Sequence, residues 1–222
     1  MEKIKVPDVT VLAVASIRIP GTIRALQICM QDFEWGAVKL ISHERPKDLP
    51  EEIEFGKCPK IENIDIYNHY VFRNLVEHVE TSHCLMVQDH AYIIAPWLWM
   101  NEWLKYDYIG AGWPIRENSY IANNGERVRV GNGGFSLRSK KLMSLPRKNN
   151  WELRQQQGFY NEDGCINVYY RKEHLKEGIK YAPLDVAVKF SYETPIPENS
   201  YGNIHHFAFH RHRSQWMINN GL

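Results

Sequence analysis

The stretch V-T-V-L-A-V-A at residues 9–15 is a short, nearly continuous apolar run. Such a run is typical of a parallel strand that is buried on both faces. Residues 22–33 follow with apolar residues at helical spacing, and A-V-K-L-I-S at residues 37–42 predicts a second strand. This strand–helix–strand order implies a right-handed crossover and the start of a Rossmann-like fold.

The rest of the chain continues the alternation of strands and helices. Residues 45–60 are rich in Pro, Glu and Lys and predict a surface loop. The other predicted elements are a helix at 68–80, strands at 84–88, 106–110 and 135–138, a helix opening near Glu162 within 160–171, and a strand at 186–190. We therefore expect a single α/β domain over residues 1–222, with a mostly parallel central sheet flanked by helices.

Charge and cysteine usage exclude several classes of protein. Lys and Arg number 27 against 26 Asp and Glu, so the totals give no basic face for nucleic acid. The 4 cysteines form no C-x-x-C pair and are expected to be buried, reduced thiols of a cytoplasmic protein. The N-terminus has no apolar region typical of a signal peptide. No apolar run approaches the roughly 18 residues of a spanning helix, so membrane contact is expected to be peripheral at most.

Three glycines and an asparagine lie together in V-G-N-G-G-F-S-L-R at residues 130–138. Glycine permits unusual dihedral angles and the close approach of a ligand. Asn132 tolerates the left-handed region, and its amide can hydrogen-bond hydroxyl groups. The segment predicts either a ligand-binding loop or a tight turn before a strand.

Q-D-H at residues 88–90 comes where a buried strand ends. In open α/β sheets, ligands bind beyond the carboxyl ends of the strands. Asp89 and His90 can hold a divalent metal there, with Gln88 bonding a ribose or phosphate. The alternative is a polar strand end that faces solvent.

The run H-H-F-A-F-H-R-H at residues 205–212 is the compositional anomaly of the chain. In an extended strand His206, His210 and His212 would share one face. Clustered histidines suit a transition metal or a diphosphate, although a solvated surface is the alternative. We favour His210 as the functional histidine.

Two further positions carry candidate chemistry. Glu162 and Asp163 are adjacent carboxylates at a predicted helix start, where they can serve as a general base or simply favour the helix dipole. Ala15 ends the predicted first strand and Ser16 and Arg18 follow it, in a position that commonly lines a nucleotide pocket. The chain lacks G-x-G-x-x-G, G-x-x-x-x-G-K-[ST] and G-x-S-x-G, which argues against dinucleotide oxidoreductases, P-loop NTPases and serine hydrolases.

Taken together, these motifs resemble a glycosyltransferase of the GT-A fold. The nearest likeness is to the small glycosyltransferases of polysaccharide-biosynthesis loci in bacteria and large viruses. The likeness covers most of the chain from about Ile64 onward. It rests on Tyr67 and Asn68 and on the ordered segments S-H-C-L-M-V-Q (82–88), Y-D-Y-I-G-A-G-W-P (106–114), V-G-N-G-G-F-S-L-R-S (130–139), E-D (162–163), A-P (182–183), F-S-Y-E (190–193) and F-A-F-H (207–210).

The resemblance implies transfer of a sugar from a nucleotide diphosphate sugar, expected to be a UDP-sugar, to a saccharide hydroxyl. A hexosyl- or deoxyhexosyltransferase is implied, assisted by Mn²⁺ or Mg²⁺. The family usually shows Gln-x-Asp at the strand end, whereas this chain has His90 where the Asp would stand. Either Asp89 takes over as the ligand, or His90 coordinates the metal directly, or the dependence on metal is weakened. A histidine ligand would favour Mn²⁺ over Mg²⁺.

The roles that the resemblance implies fall into three groups. The catalytic base is Asp163, with Glu162 second. The metal ligands are Asp89, His90 and His210. The donor-binding residues are Ala15, Ser16, Arg18, Tyr67, Asn68, Gln88, Trp113, Gly131, Asn132, Gly133 and Gly134.

Two other functions remain open on the sequence. A non-catalytic nucleotide-sugar or carbohydrate-binding module on the same fold would bind UDP without transferring sugar. A metal-dependent phosphohydrolase would use the histidines to release phosphate from simple phosphoesters.

Overall fold

The computed structural model describes residues 2–115, 120–154, 161–200 and 205–210. Its first elements are strand β1 (Ile4–Val14), helix α1 (Ile19–Met30) and strand β2 (Phe33–Ser42). The predicted strand–helix–strand start is confirmed. The helix begins and ends three residues earlier than predicted, and Phe33 opens the second strand instead.

The remaining elements are short. The strands are β3 (Glu54–Lys57), β4 (His83–Val87), β5 (Ala91–Ile93), β6 (Tyr108–Ile109), β7 (Ala111–Gly112), β8 (Val130–Gly131), β9 (Phe135–Ser139), β10 (Ser191–Tyr192) and β11 (Ala208–His210). The helices are α2 (Ile64–Asn74), α3 (Lys140–Lys148), α4 (Glu162–Gly164), α5 (Arg171–Lys176), α6 (Leu184–Phe190) and α7 (Pro197–Ser200). Three 3₁₀ turns (Leu75–His78, Pro96–Leu98, Asn101–Lys105) and a π-helical turn (Cys165–Tyr169) complete the described part of the chain.

The described strands build a central sheet in the order β3-β2-β1-β4-β9-β6. The four strands from β3 to β4 are mutually parallel, and β9 runs antiparallel to both β4 and β6. Two small sheets, β10-β11-β5 and β7-β8, lie beside it. The predicted α/β class with a mainly parallel central sheet is confirmed.

Strand β1 is buried on both faces, as its apolar run predicts. Val9, Val11 and Ala13 belong to one hydrophobic cluster, whereas Leu12 and Val14 belong to another. Successive side chains of a strand point to opposite faces, so these clusters are the cores on the two sides of the sheet.

Three predictions of local structure were wrong in detail. The predicted loop at 45–60 contains β3, whose sequence E-F-G-K has no apolar run because this edge strand is half exposed. The predicted strand at 186–190 lies in helix α6. The predicted helix at 68–80 starts earlier, at Ile64, and tightens into a 3₁₀ turn after Asn74.

All 4 cysteines are buried free thiols, so their predicted burial is confirmed. Desolvation raises the pKa of Cys29, Cys84 and Cys165 to about 12, which keeps these thiols protonated. Among the described helices, none combines the length and apolarity needed to cross a membrane.

Candidate active site

A cavity of about 280 Å³ opens where the chain changes direction across the sheet. From β1 the chain moves outward to β2 and β3, and then returns to β4 on the other side of β1. The carboxyl ends of β1 and β4 therefore form a topological switch point, where open α/β sheets bind ligands. The cavity is lined by Val14 at the end of β1 and by residues 15–18 that follow it, by Gln88 and Asp89 after β4, and by Thr22, residues 61–64 and Tyr67.

Ser16 forms hydrogen bonds that join two segments of the cavity wall. Its Oγ accepts a hydrogen bond from the backbone N–H of Ile61 at 2.9 Å and lies 3.1 Å from His43 Nδ1. These bonds hold the segment after β1 against the segment that precedes α2. Ile17 and Ile64, two strongly exposed aliphatic residues, flank the same cavity, which gives it apolar edges for a flat ligand.

The carboxylate of Asp89 is shared between two basic side chains. Its Oδ1 lies 2.6 Å from His90 Nδ1, and its Oδ2 lies 3.3 Å from Arg18 Nη1. Burial raises the pKa of Asp89, but the hydrogen bonds and charges of His90 and Arg18 outweigh that effect, and the net pKa is lowered. Asp89 is therefore ionised at neutral pH.

Gln88 connects the cavity to the C-terminal strand. Its Nε2 donates to the Tyr67 hydroxyl at 3.0 Å, and its Oε1 lies 3.2 Å from His210 Nε2. Strand β11 delivers His210 to this point because His210 pairs with Ala91 of β5, two residues after Asp89. The His90 and His210 rings lie 4.7 Å apart between centroids, so the histidine predicted from the tail does reach Q-D-H.

The glycine loop, residues 131–134, is shaped by what surrounds it. A Cβ on Gly131 would overlap the Trp113 ring, one on Gly133 the Glu162 carboxylate, and one on Gly134 the His210 imidazole. The positive φ in this loop belongs to Asn132, at 88°. The glycines are thus needed for close approach of site side chains, rather than for unusual dihedral angles.

Asn132 itself is buried. Its Oδ1 accepts from the backbone N–H of Gly134 at 2.8 Å, and its backbone carbonyl accepts from the Tyr108 hydroxyl at 2.8 Å. Its Nδ2 is buried without a hydrogen-bond partner in the described residues. Contact of this amide with a ligand hydroxyl remains a prediction.

A buried ion pair contacts the glycine loop on its protein side. Arg138 Nη2 lies 3.0 Å from Glu162 Oε1, with side-chain exposures of 1% and 3%. Arg138 also donates to the carbonyl of Gly133, and the backbone N–H of Glu162 donates to Asn68 Oδ1 at 3.3 Å. Glu162 is therefore held in place by a cation, which makes it a poor candidate for a free base.

Asp163, the next residue, has different surroundings. Burial and the charges of Glu162 and Glu193 raise its pKa to about 7, although a hydrogen bond from the Gly164 N–H opposes the rise. A carboxylate with a pKa near neutrality is suited to accept and return a proton at physiological pH. Perturbed carboxylates of this kind are concentrated at functional sites.

The predicted metal ligands do not form a ready site in this arrangement. Asp89, His90 and His210 are neighbours, but both oxygens of Asp89 are engaged by His90 and Arg18. Across the described residues, no three His, Cys, Asp or Glu side chains form a group that could hold a metal ion. A carboxylate with two imidazoles suits a borderline cation chemically, but these positions do not fit one, and the metal assignment stays a prediction.

Besides the glycine loop, Glu162 and Asp163, which are described above, the predicted site residues fall into two groups. Those brought to the cavity and to the adjoining histidines are Ala15, Ser16, Arg18, Tyr67, Gln88, Asp89, His90 and His210. Asn68 and Trp113 are buried, Asn68 beneath Glu162 and Trp113 against Gly131 and Tyr120. Their contact with a donor remains a prediction.

His206, which is predicted from the sequence to share one strand face with His210, does not join it. His206 is buried and hydrogen-bonds the carbonyl of Val188. His212 lies outside the described residues.

Two residues of the site were missed in the sequence. Glu193 Oε1 lies 3.4 Å from His210 Nδ1 and acts on the pKa of Asp163, although only its segment F-S-Y-E was singled out. Arg138 ends the glycine-rich segment as a basic residue in a strand whose five residues are all buried. A buried arginine requires an anionic partner, and that requirement was the available signal.

A family model described as "Protein of unknown function (DUF5672)" matches residues 52–212, and the chain belongs to that family. No curated protein matches the sequence.

Similar solved structures are glycosyltransferases. The galactosyltransferase LgtC in complex with donor and acceptor sugar analogs has a TM-score of 0.53 at 12% identity, covering 90% of this chain and 86% of that one. The mannosyltransferase PcManGT from Pyrobaculum calidifontis, in complex with GDP-Man and Mn²⁺, has a TM-score of 0.51 at 11% identity and covers 83% of this chain. The present chain spans 58% of the length of that mannosyltransferase. At these identities the likeness establishes a fold shared with glycosyltransferases.

Proposed function

We propose that this chain is a glycosyltransferase of the GT-A type, formed by residues 1–222 as one domain. It would move a hexosyl or deoxyhexosyl group from a nucleotide diphosphate sugar, a UDP-sugar in the first instance, to a hydroxyl of a saccharide acceptor. The observation that carries the proposal is the cavity at the β1–β4 switch point, with Arg18 and Gln88 in its wall and His210 bonded to Gln88. The shared fold with two enzymes whose structures contain nucleotide-sugar or donor-analog ligands supports it.

In this proposal the nucleoside occupies the cavity beside Ala15 and Ser16, between the exposed side chains of Ile17 and Ile64. The diphosphate lies towards Arg18, whose guanidinium can bond two phosphate oxygens at once. The sugar lies towards the glycine loop. The exposed Arg18 side chain and the close packing of His210 on Gly134 are the contacts that favour this orientation.

The reaction breaks the bond between the anomeric carbon and the diphosphate oxygen and forms one to the acceptor oxygen. Negative charge grows on the departing diphosphate, where Arg18 can offset it and His90 and His210 can donate hydrogen bonds. The acceptor hydroxyl must lose its proton, and for inversion we assign that proton to Asp163, whose pKa is about 7. If configuration is retained, Asp163 orients the acceptor instead. Glu162 positions Asp163 and the loop through its ion pair with Arg138.

A bound Mn²⁺ or Mg²⁺ would neutralise further charge on the diphosphate. The proposal keeps Asp89, His90 and His210 as the residues to test for binding it. Because their present arrangement does not fit a cation, no step is assigned to a metal.

The alternative is a nucleotide-sugar-binding module without catalysis. The engagement of both Asp89 oxygens by the side chains of His90 and Arg18 favours it, because a transferase motif that binds metal needs at least one of these oxygens. It predicts nucleotide binding without turnover.

Thermal unfolding with a panel of nucleotides and nucleotide sugars tests the proposal, each ligand being combined with Mn²⁺, Mg²⁺ or EDTA. A ligand at about 100 times its dissociation constant adds roughly 2.7 kcal/mol to the free energy of unfolding. We expect the midpoint to rise by several degrees with uridine nucleotides. A rise that requires Mn²⁺ would identify a metal site, and the absence of a rise with every nucleotide would reject the glycosyltransferase function.

A further inference from the structure

Asp89 follows β4 and is one of the predicted metal ligands, but its partners in the structure are two basic side chains. One oxygen lies 2.6 Å from His90 Nδ1 and the other 3.3 Å from Arg18 Nη1. These contacts are those of an anion held by two basic groups. Phosphate oxygens use the same donors, because guanidinium and imidazole N–H groups bind carboxylates and phosphates alike.

The backbone around Arg18 holds this contact in place. Arg18 adopts the left-handed conformation, with φ 53° and ψ 32°, immediately before α1. Its carbonyl accepts from the backbone N–H and the hydroxyl of Thr22. A Cβ added to Gly21 would lie 3.4 Å from Asp89 Cβ, so the first turn of α1 packs directly on Asp89. The left-handed conformation is unfavourable for a residue other than glycine. Arg18 adopts it at the cavity wall, where its side chain meets Asp89.

The side chain itself is free to exchange its partner. Arg18 is 59% exposed and Asp89 is 21% exposed. An ion pair with such access to water is weak. A diphosphate carries more negative charge than a carboxylate and can form bidentate hydrogen bonds with a guanidinium. Arg18 can therefore leave Asp89 for a diphosphate in the cavity without a large cost.

We propose that Asp89 is a positioning residue that competes with the diphosphate of the nucleotide for Arg18. In the free protein Asp89 holds Arg18 at the cavity wall. An incoming nucleoside diphosphate group takes Arg18 from Asp89, and Asp89 takes it back when the nucleoside diphosphate product leaves. This role rests on the proposed function. It differs from that of a metal ligand because removing the Asp89 charge should strengthen nucleotide binding, whereas removing a metal ligand should weaken it.

The variant Asp89→Asn tests this role because it removes the charge and keeps an oxygen that can accept from His90 Nδ1. Glu62→Gln is the matched control, since Glu62 also lines the cavity and its recorded ion pair, at 3.7 Å, is with Lys60. Arg18→Gln and the double variant Arg18→Gln/Asp89→Asn complete a cycle that isolates the Arg18–Asp89 coupling.

The measurement is calorimetric titration with UDP and with GDP, in EDTA and in Mn²⁺, followed by product inhibition if turnover is found. We expect Asp89→Asn to bind the preferred nucleotide about two- to five-fold more tightly in EDTA, the range of an exposed ion pair. Product inhibition should strengthen by the same factor, and the gain should disappear in the Arg18→Gln background. Glu62→Gln should change affinity by less than the Asp89 variant.

Weaker or unchanged binding of Asp89→Asn in EDTA would overturn the competing role, as would an equal gain in Glu62→Gln. Loss of a Mn²⁺-dependent gain in affinity in Asp89→Asn, with no tightening in EDTA, would return Asp89 to the metal-ligand role. If the wild-type protein binds neither nucleotide with or without Mn²⁺, the proposed function itself fails. That outcome is distinct from a failure confined to Asp89.

Discussion

The protein contains two arginine–carboxylate pairs at its candidate site, and they differ in almost every physical respect. Arg18 and Asp89 meet at 3.3 Å on the cavity wall, with exposures of 59% and 21%. Arg138 and Glu162 meet at 3.0 Å beneath the glycine loop, with exposures of 1% and 3%. Water screens the first pair and is excluded from the second, so identical chemical groups interact with very different strength.

This difference separates binding from support. The exposed pair can open to admit an anion, because little stability depends on it. The buried pair cannot open, because either partner alone would be an uncompensated charge inside the protein. It therefore fixes Gly133 and the backbone next to Asp163, while the exposed pair remains available to a ligand.

The largest effect is expected from removing one partner of the buried pair. Arg138→Met would leave the Glu162 carboxylate buried without its cation, which should cost about 3–5 kcal/mol of the free energy of unfolding. Urea denaturation monitored by circular dichroism measures this loss. A cost below about 1 kcal/mol would mean that the two pairs are alike and that the contrast is wrong.

Asp163→Asn tests the carboxylate next to Glu162. The pKa of Asp163 is raised from 3.8 to about 7, so the folded state binds the proton more tightly than the unfolded state. The free energy of unfolding should fall as pH rises from about 4 to about 7, and the ionised carboxylate destabilises the fold above that range.

Each unit of this pKa shift corresponds to about 1.4 kcal/mol. We therefore expect Asp163→Asn to stabilise the protein by about 4 kcal/mol at pH 8 and by little at pH 4. Urea denaturation at both pH values checks the sign. Equal stabilisation at both values would show that the shift in the pKa of Asp163 is absent.

Gly133→Ala is expected to disturb the Arg138–Glu162 ion pair sterically. The new Cβ would overlap the Glu162 carboxylate, and relief of that overlap should cost about 1–3 kcal/mol. Gly164→Ala is the control, because Gly164 has helical dihedral angles and open space at its Cβ position. Equal thermal stability of the two variants would contradict the packing described for the loop.

The smallest effect on stability is expected at the exposed pair. Arg18→Met should change the free energy of unfolding by less than about 1 kcal/mol, while weakening nucleotide binding. Unfolding and nucleotide titration on the same preparation separate the two effects. A large loss of stability would show that Arg18 supports the fold rather than the ligand.

The sheet and the cavity wall could be predicted because they depend on local patterns. The apolar runs of β1, β2 and β4 identify buried parallel strands, and the polar residues that follow β1 and β4 necessarily meet at one edge. Helix α6 was mistaken for a strand because alternation over five residues, V-A-V-K-F, does not distinguish the two. Its burial of Ala187, Val188 and Phe190 is decided by tertiary packing.

The supporting contacts of the site could not be predicted because they join distant residues. His210 meets Gln88 across 122 positions, and Glu162 meets Arg138 across 24. The sequence marked His210, Gln88 and Glu162 by their local context. No local pattern in the sequence indicates that Glu162, rather than Asp163, forms the ion pair with Arg138. The pairing depends on which of the two carboxylates faces Arg138 in the folded chain.

The most direct test of the central claim is consumption of a panel of UDP- and GDP-sugars, measured as release of nucleoside diphosphate by the wild-type protein and by Asp163→Asn. The proposal predicts release from at least one donor, with turnover lowered roughly 10²-fold or more in Asp163→Asn and its nucleotide affinity close to wild type. Tight binding of a nucleotide with no donor consumed would contradict catalysis and identify a binding module. Equal turnover in the two proteins would remove Asp163 from the reaction.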